Sequence, residues 1–162
     1  WVPVNESWGQ FKTPEIADET KNFDPSRLGN TSSGGNHYDV GDMLDMQNYP
    51  DPAMGLYDSK RSWVWGEYGG IGLAVQEHLW ETGRNWGYVQ YKTSEEATKA
   101  YIDMAEKLKT LIPFGYSAAV YTQTTDVEME INGLMTYDRK VIKLNEAQIR
   151  KVNQEVCNAC SK

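Results

Sequence analysis

The segment that most constrains the fold runs from Ser62 to Gly70. Its first part, residues 62–65, is a short aromatic and β-branched run of the kind that forms a buried strand. Glu67 follows where this strand is expected to end, and a glycine-rich loop begins directly after it. Loops at strand ends often carry functional side chains, and glycines there allow close backbone approach. The segment therefore predicts a strand that presents Glu67 at one edge of a sheet.

A second carboxylate follows another apolar run. Residues 1–4 form a strand-like run, and Asn5 and Glu6 come directly after it. A retaining glycosidase needs one carboxylic acid to protonate the leaving oxygen and one carboxylate to attack the anomeric carbon, with the two groups about 5–5.5 Å apart. In a parallel barrel, the ends of distant strands meet around one mouth. Glu6 and Glu67 together therefore predict a retaining glycosidase on a barrel scaffold.

Helix and strand patterns alternate along the rest of the chain. The clearest helix runs from Thr93 to about Leu111 and has a capping-box pattern at its start. A strand is predicted over residues 116–122, a helix begins at Asn145, and a weaker helix lies between residues 14 and 22. An alternating order of strands and helices gives an α/β fold with a parallel sheet.

Five motifs, taken in order, resemble the catalytic domain of glycoside hydrolase family 2, the β-galactosidase-like enzymes. Residues 5–10 (Asn-Glu-Ser-Trp-Gly-Gln) resemble the acid/base motif after the fourth strand of that domain, and residues 65–70 (Trp-Gly-Glu-Tyr-Gly-Gly) resemble its nucleophile motif after the seventh. Residues 26–34, 42–50 and 118–128 are similar to the regions of its fifth, sixth and eighth strands. The ordered set is more specific than the Asn-Glu dipeptide, which many retaining glycosidases carry.

The resemblance covers residues 1 to about 156 and implies an α/β fold of the (β/α)8 TIM-barrel type. A whole barrel takes about 250 residues, whereas the chain has 162. We therefore expect residues 1–162 to form one partial TIM-barrel catalytic domain, the C-terminal half to five-eighths of the barrel, with strands four to eight. The open sheet edge of such a part would have to be covered. We expect a fragment or processed product whose missing N-terminal half, or a homo-oligomer, covers that edge.

The same resemblance assigns the residues of a candidate site. Glu6 is implied to be the general acid/base and Glu67 the nucleophile of a double displacement that removes β-linked sugars from the non-reducing end. Asn5 would bond the sugar 2-hydroxyl, and Tyr49 would contact Glu67 and keep it ionised. Relatives often carry histidine where Gln47 stands, and an amide does not titrate, which counts against a pocket role there. The candidate substrate-binding residues are Asn5, Trp8, His37, Asn48, Tyr49, Trp80, Tyr121 and Gln123.

The loops after the strands supply the rest of the predicted pocket. Residues 73–91 form a long loop rich in aromatic residues, which we interpret as one wall with Trp80 as the platform for a sugar ring. Tyr121 and Gln123 end the last strand and are expected to point into the same mouth. His37 lies in the loop after the presumed fifth strand and could reach the substrate, although a lone loop histidine is more often solvated.

Composition and motifs argue against several other classes of function. The net charge of −7 disfavours nucleic acid as a partner, because phosphates are bound by basic patches. No apolar stretch approaches the roughly 20 residues of a membrane span, and no serine lies in a G-x-S-x-G motif. Cys157 and Cys160 form a lone C-x-x-C without the second pair of a zinc site. We expect carbohydrate as the partner, with no metal, cofactor, nucleic acid or membrane.

Two alternatives remain open beside the family 2 interpretation. One is a truncated half barrel that is inactive or only sugar-binding alone and needs a partner chain. The other is another retaining TIM-barrel glycosidase, such as a mannanase or cellulase, with an open cleft.

Glu128 and Glu130 are expected to serve recognition or surface charge. The motifs fit galactose, glucuronate and mannose alike, and a glucuronate would need a cation such as Arg27 or Arg84. The resemblance favours a periplasmic or secreted bacterial enzyme.

Overall fold

The computed structural model describes residues 1–35, 37–55 and 57–159, and its helices and short strands alternate. The helices are α1 (Glu6–Gly9), α2 (Thr13–Phe23), α3 (Ser94–Leu111) and α4 (Glu146–Ala159), with a 3-10 turn (Ile112–Phe114) after α3. The strands are β1 (Met43–Gln47), β2 (Ser62–Gly69), β3 (Ile71–Leu73), β4 (Val89–Tyr91) and β5 (Tyr116–Thr122).

The strands form two small parallel sheets. The first has three strands in the order β1-β2-β5, and the second consists of β3 and β4. The register of β1 on β2 shifts between Met46 and Gln47, which brings Gln47 opposite Glu67. The register of β2 on β5 shifts between Trp65 and Tyr68. Because such irregularities re-aim side chains, they place Gln47 and Glu67 side by side at the end of the sheet.

The predicted C-terminal half to five-eighths of a TIM barrel is wrong. The described residues make sheets of three and two strands, and neither residues 1–4 nor residues 26–32 form a strand. The first segment bonds the second through Asn30 N–H and the Trp1 carbonyl at 2.7 Å, and just beyond both segments Glu6 N–H donates to the Ser33 carbonyl at 2.6 Å. A strand needs a continuous ladder, and isolated bonds of this kind do not extend one.

Helix α3 follows the sequence prediction closely. The Glu96 N–H donates to Thr93 Oγ1 at 3.2 Å, and the Glu96 carboxylate accepts from the Thr93 N–H, which completes the capping box. One face of α3 is buried against α4 and the sheets through Ala97, Tyr101, Met104, Ala105, Leu108 and Leu111. The helix therefore supplies most of one side of the core.

The other predicted helices and β5 agree in position, with one difference in burial, whereas β2 continues to Gly69 and so contains Glu67, which was expected after its end. Helix α4 begins where expected, because the Gln148 N–H donates to Asn145 Oδ1 at 3.1 Å, and α2 covers the weaker predicted helix. Strand β5 has the predicted bounds, but residues 117–120 are exposed instead of buried. Strand β5 lies at an edge of its sheet, and no described segment covers residues 117–120. No helix in the described part of the chain is long and apolar enough to cross a membrane.

Candidate active site

Glu67 lies near the end of β2, and both oxygens of its carboxylate have a donor. The Gln47 side-chain amide donates to Glu67 Oε1 at 2.9 Å. The Tyr49 hydroxyl donates to Glu67 Oε2 at 2.5 Å. Gln47 ends β1 and Tyr49 follows two residues later, so the end of β1 holds the carboxylate presented by β2. The predicted contact between Tyr49 and Glu67 is present.

The Tyr49 hydroxyl also joins Glu67 to β5. It lies 2.8 Å from Thr122 Oγ1 at the end of that strand. Since the single proton of Tyr49 goes to Glu67, the Thr122 hydroxyl donates to Tyr49 in turn. Burial, and then the hydrogen bond to Glu67, raise the pKa of Tyr49 above its usual range. Tyr49 therefore remains a protonated donor at all physiological pH values.

Glu6 lies at the start of α1, close enough to Glu67 to feel its charge. Its backbone is in the left-handed region with a φ of 46°, a conformation that glutamate rarely adopts. Strained residues of this kind cluster at functional sites. Burial, and then the negative charge of Glu67, raise the pKa of Glu6 above 4.5. The site therefore contains two carboxyl groups in different surroundings, and the raised pKa of Glu6 suits it to donate a proton.

The Gln47 amide also connects the two glutamate segments. Its nitrogen lies 3.1 Å from Asn5 Oδ1 and 3.2 Å from Ser33 Oγ, in addition to its bond with Glu67. Three acceptors thus share the two protons of one amide group. The sequence argued against a pocket role for Gln47, yet the structure places it between Asn5 and Glu67. The signal that would have found it is its position at the end of a strand beside Glu67, which depends on the register.

Aromatic rings continue outward from Tyr49 and form an aromatic wall of Tyr49, Tyr88 and Trp86. The rings of Tyr49 and Tyr88 are stacked, with centroids 3.7 Å apart and planes inclined by 3°. Trp86 meets Tyr88 edge to face at 5.5 Å. Gly70 makes room for this packing, because a Cβ at that position would lie 2.5 Å from the Tyr88 ring. The wall therefore depends on the glycine-rich turn that directly follows β2.

A buried carboxylate, Asp45, lies on β1 close to Glu67. It is 1% exposed and accepts a hydrogen bond from the Gly66 N–H at 2.9 Å and another from the Asn30 amide. Burial is the main cause that raises its pKa, and the charge of Glu67 adds to it. Gly66 has to be glycine here, because a Cβ would lie 2.0 Å from the Asp45 carboxylate. Asp45 supports the backbone of β2 next to Glu67.

Three further predicted substrate-binding residues have surroundings of their own. Trp8 is 84% exposed. Trp80 is 61% exposed and packs edge to face on Tyr137 at 5.5 Å. Tyr121 packs in the core against Tyr68 and Tyr101 instead of pointing into the mouth. Alternate residues of β5 face opposite sides of the sheet. Thr122, the residue after Tyr121, is therefore the one that reaches Tyr49.

The remaining predicted residues have mixed surroundings. The Asn48 side chain donates to the Asp51 carbonyl at 2.5 Å and so closes a local turn. The Gln123 side-chain nitrogen is buried without a hydrogen-bond partner among the described residues. His37 Nδ1 is likewise buried without such a partner, and burial followed by the charge of Arg61 lowers the pKa of His37. Gln123 and His37 therefore each have a buried polar atom without a described hydrogen-bond partner, whereas the Asn48 amide nitrogen is bonded to the Asp51 carbonyl.

The described residues offer no site for a metal ion. No group of three or more His, Cys, Asp or Glu side chains among them could hold one. Cys157 is free and exposed, and Cys160 lies outside the described residues. The arrangement around Glu6 and Glu67 is therefore one of carboxyl groups, amides, hydroxyls and aromatic rings.

Comparison with known proteins supports the fold. No protein-family model and no curated protein sequence matches the chain. Among solved structures, it resembles an exo-beta-agarase, with a TM-score of 0.66 over 91% of this chain and 13% sequence identity. The two share a fold. The chain spans 22% of the length of that agarase chain, so the likeness concerns one part of a much larger carbohydrate-active enzyme.

Proposed function

We propose that the chain carries the catalytic pair of a retaining glycoside hydrolase that removes β-linked sugars from the non-reducing end. The observation that carries the proposal is the pair Glu6 and Glu67. Glu67 has a donor on each carboxylate oxygen, whereas burial and the charge of Glu67 raise the pKa of Glu6. A retaining glycosidase needs one oriented carboxylate and one carboxylic acid within reach of the same bond.

The reaction would take place in two balanced steps. In the first, Glu6 gives its proton to the departing oxygen while Glu67 attacks the anomeric carbon and forms a covalent glycosyl-enzyme. In the second, Glu6 takes a proton from water, and the resulting hydroxide displaces Glu67. Gln47 and Tyr49 would orient Glu67 for the attack, and Asn5 would bond the sugar 2-hydroxyl. Hydrolysis by this route needs no cofactor.

The likeness to the agarase supports carbohydrate as the substrate class, and the description of that enzyme as exo-acting agrees with removal of terminal sugars. The assignment to family 2 rests on the motifs around Glu6 and Glu67 alone. We therefore begin with β-galactosides and extend the substrates to β-mannosides and to agarose oligosaccharides.

Mechanism-based trapping tests the proposal. We expect 2,4-dinitrophenyl 2-deoxy-2-fluoro-β-galactoside to label Glu67, which mass spectrometry would detect as a sugar adduct on its peptide. Glu6→Gln and Glu67→Gln should each lower kcat by at least about 1,000-fold, with Glu19→Gln, on the exposed face of α2, as the matched control. A label on another residue, or both variants as active as the control, would contradict the assignment.

A second candidate function is favoured by the edge of β5. Residues 117–120 are exposed, and on its outer side β5 pairs with no other described strand. The chain would then bind sugar alone and become active only when another polypeptide or a second copy covers this edge. Light scattering combined with the assay distinguishes the two candidates. A monomer with turnover supports the first, and an inactive monomer that binds sugar in calorimetry supports the second.

A further inference from the structure

A third carboxylate, Glu130, belongs to the surroundings of the candidate site. The backbone of Trp86 pairs with the segment that carries it, through hydrogen bonds from Trp86 N–H to the Met129 carbonyl at 3.0 Å and from Ile131 N–H to the Trp86 carbonyl at 2.9 Å. Trp86 packs on Tyr88, which stacks on Tyr49, the donor to Glu67. Glu130 is therefore connected to Glu67 through the aromatic wall.

Electrostatics agree with this proximity. After burial, the charges of Glu130, Glu67 and Glu6 are the causes that raise the pKa of Tyr88. One phenol thus lies within reach of three carboxyl groups. Glu6 and Glu67 are assigned to the proposed reaction, whereas Glu130 has no role in its two steps.

Glu130 is held in place and is not a loose surface charge. The Asn132 amide donates to Glu130 Oε1 at 2.8 Å, and Asn132 is fully buried. The Glu130 backbone exchanges hydrogen bonds with Val127 at 3.0 and 3.1 Å. A carboxylate with a fixed backbone and a fixed oxygen keeps its charge at one point beside the wall.

No cation balances these carboxyl groups among the described residues. None of the lysines and arginines there forms an ion pair or hydrogen bond with Glu6, Glu67 or Glu130. The two arginines considered for a glucuronate are engaged elsewhere. Arg27 pairs with Asp24 and lies over the Trp1 ring, and Arg84 is an exposed partner of Glu81.

We propose that this site accepts sugar rings without a carboxylate or sulfate group, and that Glu130 rejects anionic rings. The inference rests on the proposed function and narrows its substrate class. An anionic ring would bring a further negative charge against a carboxylate fixed by Asn132, and like charges repel each other. A neutral ring would instead pack its C–H face on the exposed part of Trp86.

The test compares substrates that differ only at C6, which is a hydroxymethyl group in the neutral member and a carboxylate in the anionic one. We measure kcat/KM for p-nitrophenyl β-galactoside and for the matching β-galacturonide, and for the glucoside and glucuronide pair. The wild type should prefer the neutral member by at least 100-fold. Glu130→Gln keeps the oxygen that accepts from Asn132, and it should reduce this preference by about tenfold. Glu128→Gln, two residues away on an exposed position, should leave the ratio as in the wild type.

Two results would overturn the inference: equal turnover of neutral and anionic substrates by the wild type, or an unchanged ratio in Glu130→Gln. Failure of the proposed function looks different, because neither substrate is then turned over and Glu67 is not labelled. In that case, calorimetric affinities for methyl β-galactoside and methyl β-galacturonide replace kcat/KM in the same comparison. Circular dichroism confirms that each variant is folded before the ratios are compared.

Discussion

At the scale of single residues, the orientation of Glu67 depends on Gln47 and Tyr49, one for each carboxylate oxygen. A hydrogen bond to a charged group is worth about 1.5–3 kcal/mol, and removing its donor leaves the charge partly unsatisfied. Gln47 is the more informative of the two, because it also contacts Asn5 at 3.1 Å. Loss of its amide would release both glutamate segments at once.

We therefore predict that Gln47→Leu lowers kcat by about 10- to 100-fold, with a smaller change in KM, because the interaction lost acts mainly on the attacking carboxylate. Steady-state kinetics on the best β-glycoside measures both constants. Gln90→Leu, at an exposed position on β4, is the matched control. A Gln47 variant with the kcat of this control would show that Tyr49 alone suffices to hold Glu67.

The pH dependence follows from the raised pKa of Glu6. A general acid works while protonated, so kcat/KM should fall as the pH rises through the Glu6 pKa, and this limb should lie above 4.5. The folded chain also binds this proton more tightly than the unfolded chain does. Glu6 therefore stabilises the fold below pH 4.5 and loses this contribution as the pH rises through the folded pKa. A pH profile of kcat/KM with its basic limb below 4.5 would contradict the prediction.

At the scale of elements, the turn between β2 and β3 shapes both sides of the sheet. Gly69 and Gly70 have φ values of 102° and 66°. A Cβ on the first would lie 2.4 Å from the Tyr121 ring in the core, and a Cβ on the second 2.5 Å from the Tyr88 ring at the site. One dipeptide thus allows close packing of the core and of the aromatic wall.

Gly70→Ala should lower the free energy of unfolding by about 1–3 kcal/mol, because alanine is strained at positive φ and its methyl group displaces Tyr88. Urea denaturation followed by tryptophan fluorescence measures the change. Gly83→Ala is the control, since only the Glu81 side chain lies near its Cβ position, at 4.0 Å. Equal midpoints for the two variants would mean that the turn relaxes freely.

Local signals in the sequence were sufficient for most helices and for some strands. The capping box and apolar periodicity predicted α3, and Asn145 predicted the start of α4, because both signals lie within a few residues of the feature they specify. The strand expected at residues 1–4 did not form. Whether an apolar run becomes a strand depends on a partner segment at long range, which periodicity does not reveal.

The candidate site was predicted only in part, because some of its contacts join segments that are far apart in the sequence. Sequence motifs identified Glu6, Glu67 and Tyr49, because a motif is recognised from residues that are close together in the chain. Gln47 was missed, because its contact with Glu67 depends on a register shift. The loop of residues 73–91 was predicted as a wall with Trp80 as its platform, whereas the ring that stacks on Tyr49 is Tyr88. An aromatic residue in a loop is easily noticed, but its partner is set only by the tertiary fold.

At the scale of the whole molecule, a buried ion pair ties the loop after β5 to the second sheet. Lys143 Nζ donates to Asp126 Oδ1 at 2.7 Å, to the Leu73 carbonyl at 3.0 Å and to the Ile131 carbonyl at 2.9 Å. The Lys143 side chain has no exposed surface, and that of Asp126 is 3% exposed. Burial lowers the pKa of Lys143 and raises that of Asp126, while their mutual attraction opposes both shifts.

Lys143→Met should cost about 3–5 kcal/mol of unfolding free energy, because it leaves the buried Asp126 carboxylate without its partner. The double variant Lys143→Met with Asp126→Asn should recover part of the loss. Lys107→Met, which breaks an exposed pair with Asp51, should cost no more than about 1 kcal/mol. Urea midpoints compare the three, and a single variant as stable as the Lys107 control would show that water replaces the pair.

The outer edge of β5 has a consequence for handling the isolated chain. The strand sequence Tyr-Ser-Ala-Ala-Val-Tyr-Thr contains no charge and no proline, and its Val120 is 57% exposed. Natural sheets usually protect such edges with lysine, proline or a covering loop. A short, uncharged and exposed strand is also a template for amyloid-like stacking. At high concentration, self-association through β5 would therefore compete with folding, and the yield of the chain would depend on whether that strand is protected.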